Sequence, residues 1–388
     1  MTDSLATRIR DRMRALDDDG LLRTLRAPSG IDLCSNDYLG LASHPHVTER
    51  MRAAVVREGA GSTGSRLLRG ERDGFAALER RFAAFKGAGR SLYFSSGYLA
   101  NLAVLTTFPE AGDVILSDAR NHASLIDGIR LSPARREIVA HNDVIAVRRA
   151  LGETRGAGQQ FLVVESLFSM DGDEAPLKAY AGLCREAGAH LIVDEAHAVG
   201  VYGPRGSGLI ERHGIDEDVF LSVNPAGKAL GVSGAFVAGP GWAIEYMVQC
   251  ARPFVFSTAP PPSVAAALDA SLDLIEQEPR RRAALLGRAR ALRLRLHAAG
   301  VPVPVGSSQI VPVVIGDNNR AVAVADALQA DGFDVRAIRP PTVPPGSARL
   351  RISVNLTLTD ELMDRFVTSL VAALVATGAA ATIATKTN

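Results

Sequence analysis

An α/β fold, with a mostly parallel central sheet covered by helices and a smaller C-terminal α/β domain, is what this sequence predicts. Three observations carry the prediction. From about residue 90, short apolar runs alternate with helical patterns such as Leu177–Ala187; the runs are Ser91-Leu-Tyr-Phe94, Val114-Ile-Leu116, Phe161-Leu-Val-Val164, Leu191-Ile-Val193, Val219-Phe-Leu221 and Ala235-Phe-Val-Ala238. Polar residues follow nearly every run, as they do in open sheets that bind ligands beyond the carboxyl ends of their strands. Past about residue 258 the alternation breaks at the proline-rich Arg252–Pro262 segment, and a second set of elements begins.

The bulk numbers fit a soluble enzyme. At 388 residues the chain suggests two or three domains, and a 47% hydrophobic fraction can fill a large core. A net charge of +1 without a long basic run argues against nucleic acid as the main ligand. Cys34, Cys184 and Cys250 are odd in number and far apart, so neither a disulfide framework nor a metal site is expected. The charged N-terminus lacks an apolar signal core and no run approaches a membrane span, so a cytoplasmic location is expected.

In order, residues 4–18 place Leu5, Ile9, Met13 and Leu16 near helical spacing, and with Ile31–Cys34 and Ser35-Asn-Asp-Tyr-Leu-Gly-Leu41 they read as an arm over 1–40. Gly59–Gly70 holds four glycines in twelve positions. It can let backbone approach a ligand or a neighbouring chain, or merely turn; it does not carry the GxxxxGK[ST] phosphate pattern. A helix begins near Asp73. The large domain is predicted over 41–265 and the small one over 266–377, with one long arginine-faced helix at 263–299. Strands at 309–315, 334–338 and 348–354 and helices near 319–331 and 359–376 complete it. The tail 378–388 is small and polar, and poor order is expected there.

The strand ends carry the chemistry. Ser95-Ser-Gly-Tyr-Leu-Ala-Asn101 follows the first run, a small-residue turn whose free amides at a helix start suit a phosphate. The later ends give Ser117–Ser124 with His122, Glu165–Asp173 with Ser169, and Asp194-Glu-Ala-His197. The fifth leads into Ser222–Phe236, where Lys228 stands alone among glycines, serines and small apolar residues. A mobile surface lysine is the competing reading of that stretch. An amine in a dry loop, however, loses solvation of its charged form and becomes a nucleophile toward a carbonyl. A lysine, a strand-end aspartate, histidines and a phosphate cradle together suggest pyridoxal 5′-phosphate. Its aldehyde needs an amine for a Schiff base, its ring nitrogen a carboxylate, and its phosphate amides.

With these residues in view, the sequence resembles the α-oxoamine synthases, fold type I pyridoxal-phosphate-dependent transferases, over nearly the whole chain from Ser35-Asn-Asp-Tyr-Leu-Gly40 to Ala348-Arg-Leu-Arg351. Asn121-His-Ala-Ser-Leu125, Ala140-His-Asn-Asp143, Phe168-Ser-Met-Asp-Gly-Asp173, Asp194-Glu-Ala-His197 and Ala337–Gly346 are the most specific segments; the last favours the biotin-pathway branch. The resemblance implies that Lys228 binds the cofactor and moves the substrate's α-proton, that Asp194 pairs with the ring nitrogen, and that His122 stacks on the ring. Ser169 and His197 would bond its phenolic oxygen, and the Gly97 and Tyr98 amides its phosphate. Ser257 and Thr258 match a segment that reaches the phosphate of a partner subunit, implying a homodimer. Arg351, with Asn36 nearby, would take the amino-acid carboxylate; Thr342 and Arg23 join them as substrate-binding candidates, although surface solvation also accounts for Arg23.

The implied reaction condenses L-alanine with a pimeloyl thioester, carried on coenzyme A or acyl carrier protein, with loss of carbon dioxide. A glycine- or serine-using relative and a non-catalytic paralogue are the alternatives. One departure from the family stands out: three residues before the lysine, where a threonine usually binds the phosphate, this chain has Pro225, with Gly227 adding no hydroxyl. Ser222, Asn224 or a partner's Thr258 are the residues that could compensate.

Overall fold

The computed structural model describes residues 4–156 and 158–379. They condense into two compact units. The larger comprises Leu39–Ser169 and Asp173–Ala283; the described residues of Met1–Tyr38, Met170–Gly172 and Ala284–Asn388 form the other. Residues 4–38 of the predicted arm therefore belong to the C-terminal unit, and its last two, Leu39 and Gly40, to the larger one. The predicted boundary at 265/266 falls inside the helix Ser263–Gln277, and the division comes at 283/284 instead. Most of the predicted tail, 380–388, lies outside the described residues.

The larger unit is built on a seven-stranded sheet in the spatial order Arg90–Phe94, Ala235–Gly239, Val219–Pro225, His190–Asp194, Gln160–Glu165, Val114–Asp118, Arg135–Val139. Only Ala235–Gly239 runs against its neighbours; every other pairing is parallel. Side chains alternate across a strand, so Leu92, Ile115, Val163, Ile192, Leu221 and Val237 share one face with Phe94, Phe161 and Val223. The helices Gly97–Thr107, Ala123–Leu131 and Gly241–Cys250 cover that face through Val104, Leu125 and Met247. Strands buried on both faces read as continuous apolar runs, which is why the sequence exposes them. The exception is Arg135–Val139, an edge strand with exposed charged residues that the apolar criterion passes over.

In the other unit, Ala348–Ser353 is the central strand between Ala337–Ile338 and Ile310–Gly316, antiparallel to both. Ile31–Asp32 pairs in parallel with Phe333–Asp334. The predicted strand 334–338 is thus two short pieces in different sheets. The predicted helix 263–299 is likewise two, Ser263–Gln277 and Pro279–Ala298, because a proline cannot continue the ladder of the first. The amphipathic helix Ser4–Asp18 forms as predicted, but Leu5, Ile9, Met13 and Leu16 of its apolar stripe are all exposed. Among the described residues no helix is long and apolar enough to cross a membrane.

Candidate active site

Glu165 and Asp194 end two adjacent parallel strands and face each other in register. By the two-residue alternation they continue the rows of Val163 and Ile192, on the face covered by the helix Gly97–Thr107. Asp194 is held from two sides: the Ala196 amide donates to Oδ1 at 2.8 Å and Asn101 Nδ2 donates to Oδ2 at 2.7 Å. The turn after it is anchored beneath. Glu195, fully buried, accepts from the Leu209 and Ile210 amides and pairs with the buried Lys86 ammonium, so Asp194-Glu-Ala-His197 is clamped at its second residue.

His122 caps the helix Ala123–Leu131, its Nδ1 accepting from the Ser124 amide at 3.2 Å. Burial lowers its pKa, the Asp194 charge raises it and the Lys228 charge lowers it, with a net downward displacement. Glu165 shows the same neighbourhood from the other side. Burial and the adjacent Asp194 push its carboxyl up to about 8, while Lys228 and the backbone amides of His122 and Ser169 pull the other way. Lys228, His122, Asp194, Glu165 and Ser169 therefore gather at one end of the sheet, three of them predicted catalytic residues and one a predicted cofactor contact. His197 is buried in the same turn as Asp194.

The lysine loop is cinched at its base. The Ala226 amide donates to Gly234 O at 2.8 Å and the Val232 amide to Ala226 O at 3.1 Å, while Gly231, at φ +70°, lies so close to Ala42 that a Cβ would sit 2.5 Å from its nitrogen. Lys228 is partly buried between buried Ala226 and Ala229.

The phosphate cradle is the start of the helix Gly97–Thr107. Ser96 caps it, taking the Leu99 amide on its hydroxyl and the Ala100 amide on its carbonyl, which leaves the Gly97 and Tyr98 amides outside the helical ladder at the positive end. A Cβ on Gly97 would lie 2.6 Å from Pro225 Cγ, so the proline ring forms one wall of the cradle. Of the compensating donors, Asn224 Nδ2 is committed to Ser222 O and Oγ, at 3.1 and 3.0 Å, so the two bond each other. Thr258 is exposed and paired with Ser65 of the glycine-rich segment, where the Ala259 amide donates to Gly64 O at 2.8 Å.

The substrate candidates assemble within the other unit. Arg351, buried on the central strand, donates to Asn36 Oδ1 at 3.1 Å, Ser353 Oγ at 2.9 Å and Tyr38 Oη at 3.2 Å. Arg23 donates to Pro340 O at 3.4 Å, bringing it to the turn that carries the exposed Thr342. Arg23, Arg26, Arg336 and Arg339 line a cavity of about 750 Å³.

Three residues gain importance that sequence reasoning did not assign. Glu165 was visible as the first residue after an apolar run, without a role. Asn101 and His141 are tied in by contacts with residues 93 and 32 positions away. His141 bridges Asp118 and Asp173 at 2.9 and 2.7 Å, with Asn142 Nδ2 also donating to Asp173 at 2.8 Å; this lock closes the loop that carries Ser169.

The donor set fits pyridoxal phosphate: unladdered amides at a helix start, an oriented carboxylate, an amine whose charge reaches His122 and Glu165, and a buried Glu165 Oε1 without a hydrogen-bond partner. The comparisons agree. The model of the class I and II aminotransferases matches residues 28–370. The 8-amino-7-oxononanoate synthase of Anaeromyxobacter dehalogenans is 45% identical over 93% of this chain and 94% of its own length, and that of Geobacter sulfurreducens is 42% identical over 95% and 97%. Among solved structures, the serine palmitoyltransferase of Sphingomonas wittichii superposes with a TM-score of 0.90 at 30% identity, covering 97% of this chain and 99% of that one. An 8-amino-7-oxononanoate synthase from Francisella tularensis gives 0.78 at 29% identity, covering 90% and 98%. The fold type I architecture predicted from sequence is the one these neighbours share, and the chain belongs to the class I and II aminotransferase family, within its 8-amino-7-oxononanoate synthase branch.

Proposed function

We infer that this chain catalyses the pyridoxal-phosphate-dependent, decarboxylative condensation of L-alanine with a pimeloyl thioester in biotin biosynthesis, giving 8-amino-7-oxononanoate, carbon dioxide and a free thiol. The observation that carries this reading is the gathering of Lys228, Asp194, His122 and Ser169 at the carboxyl end of one sheet, in a chain 45% identical to 8-amino-7-oxononanoate synthases. When bound, the cofactor supplies an electron sink for charge developing at the amino-acid α-carbon.

The rest is work for the chain's own side chains. The Lys228 amine anchors the cofactor aldehyde, then removes and returns the proton at the α-carbon. Asp194 holds a proton on the ring nitrogen. His122 covers the ring face, Ser169 and His197 orient the phenolic oxygen, and the Gly97 and Tyr98 amides hold the phosphate. Arg351 with Asn36 takes the substrate carboxylate, and Arg23 and Thr342 serve the acyl substrate. Thr258 serves the phosphate site of a second copy, so the working form is a homodimer. The acyl carrier is coenzyme A or acyl carrier protein, and the setting is the cytoplasm.

Borohydride reduction followed by peptide mapping locates the anchoring amine; attachment anywhere but Lys228 overturns the assignment. A panel of alanine, glycine and serine against pimeloyl, acetyl, succinyl and palmitoyl thioesters tests the substrates. The serine palmitoyltransferase likeness makes serine with a palmitoyl thioester the second reading, and preference for that pair would replace the first.

A further inference from the structure

Asn101 lies in the second turn of the helix Gly97–Thr107 and is 1% exposed. Its Nδ2 makes two bonds, to Asp194 Oδ2 at 2.7 Å and to Ser124 Oγ at 2.9 Å. Ser124 is wholly buried, and its Oγ lies 2.8 Å from His122 Nδ1. Four residues from three elements thus form one chain, from the proposed partner of the cofactor ring nitrogen to the residue proposed to cover the ring face.

The direction of each bond follows from what each group can give. A carboxylate oxygen only accepts, so the side of the Asn101 amide facing Asp194 carries hydrogen; flipping the amide would set two oxygens 2.7 Å apart. The second hydrogen on the same nitrogen goes to Ser124 Oγ, which then has its own hydrogen to give to His122 Nδ1. That ring nitrogen also receives the Ser124 amide at 3.2 Å. Facing two donors, Nδ1 carries no proton, and the ring's hydrogen is on Nε2. Asn101 Oδ1 is buried without a hydrogen-bond partner, an unfavourable arrangement that a residue serving packing alone would avoid.

We propose that Asn101 is a positioning residue, orienting Asp194 directly and, through Ser124, holding His122 as the neutral ring with its proton on Nε2. The downward displacement of the His122 pKa, set by burial and opposed by Asp194, is in keeping with a neutral ring. The consequence for cofactor binding rests on the pyridoxal-phosphate reading above; the proton position does not.

The test uses the full-length chain labelled with ¹⁵N in its eight histidines, freed of cofactor, with His122→Phe identifying the His122 signals. Long-range ¹H–¹⁵N spectra of the unsubstituted chain at pH 7 are expected to show one neutral form protonated on Nε2. Ser124→Ala removes the hydroxyl donor and should raise the His122 titration midpoint by roughly half a pH unit or more, with both neutral forms populated. Asn101→Asp preserves size and packing but cannot donate to Ser124, so the hydroxyl turns toward the new carboxylate and His122 shifts toward protonation on Nδ1. The same variant should weaken pyridoxal phosphate retention, read by equilibrium dialysis, about tenfold, since Asp194 exchanges a donor for a repelling charge.

A ring protonated on Nδ1 or charged at pH 7 in the unsubstituted chain overturns the proposal. So does an unchanged His122 pattern in both variants when circular dichroism shows them folded. Failure of the unsubstituted chain to bind pyridoxal phosphate would instead overturn the functional reading, leaving the spectra to decide the hydrogen-bond chain alone.

Discussion

His141→Gln removes a charge from between two carboxylates, and its cost depends on pH in a direction the structure fixes. Burial of the ring would lower the His141 pKa, but hydrogen bonds to Asp118 and Asp173 and their charges outweigh it, raising the value from 6.5 to about 9. At 1.36 kcal/mol per pH unit the displacement corresponds to a ceiling of roughly 3 kcal/mol. The His141 side chain is 15% exposed and that of Asp118 0%, but Asp173 is 39% exposed, so solvent screening reduces the expectation to about 1–2 kcal/mol. The folded-state pKa is raised, so this stability is fully present below pH 6.5 and is lost as pH rises through about 9. Melting of the unsubstituted and His141→Gln chains from pH 6 to 10 checks it. The variant should melt lower by about 2–4 °C per kcal/mol at the acid end, with the gap narrowing steadily toward pH 10. A gap that stays constant or widens would refute the charged bridge. A narrowing gap accompanied by altered affinity for pyridoxal phosphate would tie the bridge to the Ser169 loop.

Three further outcomes are expected. Pro225→Thr supplies the hydroxyl that the phosphate cradle lacks and should tighten pyridoxal phosphate binding about tenfold; dialysis showing equal or weaker binding would mean the cradle is already complete. Gly97→Ala drives a Cβ to 2.6 Å from Pro225 Cγ and should weaken binding, while adding Pro225→Ala should recover part of the loss, a coupling that a double-mutant cycle measures directly. Glu165 is a carboxyl whose folded-state pKa is raised, from 4.5 to about 8, by burial and by Asp194, so between those values its protonation makes rising pH destabilising. Urea titrations should show that contribution vanishing in Glu165→Gln, and the same pH slope in both chains would contradict it.

Much of the fold is legible because strands buried on both faces cannot be polar. The apolar runs near 91, 114, 161, 191, 219 and 235 each locate a strand of the large sheet to within a few residues. Arg135–Val139 escapes because an edge strand has one side in water and can carry Arg135, Arg136 and Glu137. The site divides along a similar line. Lys228, Asp194 and His122 are legible because each stands at a strand end, where a polar residue interrupts apolar sequence. Asn101 and Ser124 sit inside helices, where polar residues are common, and only the fold brings Asn101 to a carboxylate 93 positions away. The division into units was the least legible feature. No composition change marks 283/284, and the pairing of Ile31–Asp32 with Phe333–Asp334 joins segments some three hundred positions apart.

The charged edge strand also bears on how copies of the molecule meet. A sheet edge offers unpaired amides and carbonyls to any strand that approaches, and a long apolar edge invites runaway stacking into fibres. Arg135–Val139 has only five residues, and another chain docking there in register would have to bring its own strand against two guanidinium groups and a carboxylate. An identical antiparallel copy could pair some of these charges, but it would have to desolvate them for a short ladder in return. The short, charged edge thereby disfavours open-ended growth of the sheet, a safeguard that matters more in a protein with no large net charge to keep its copies apart.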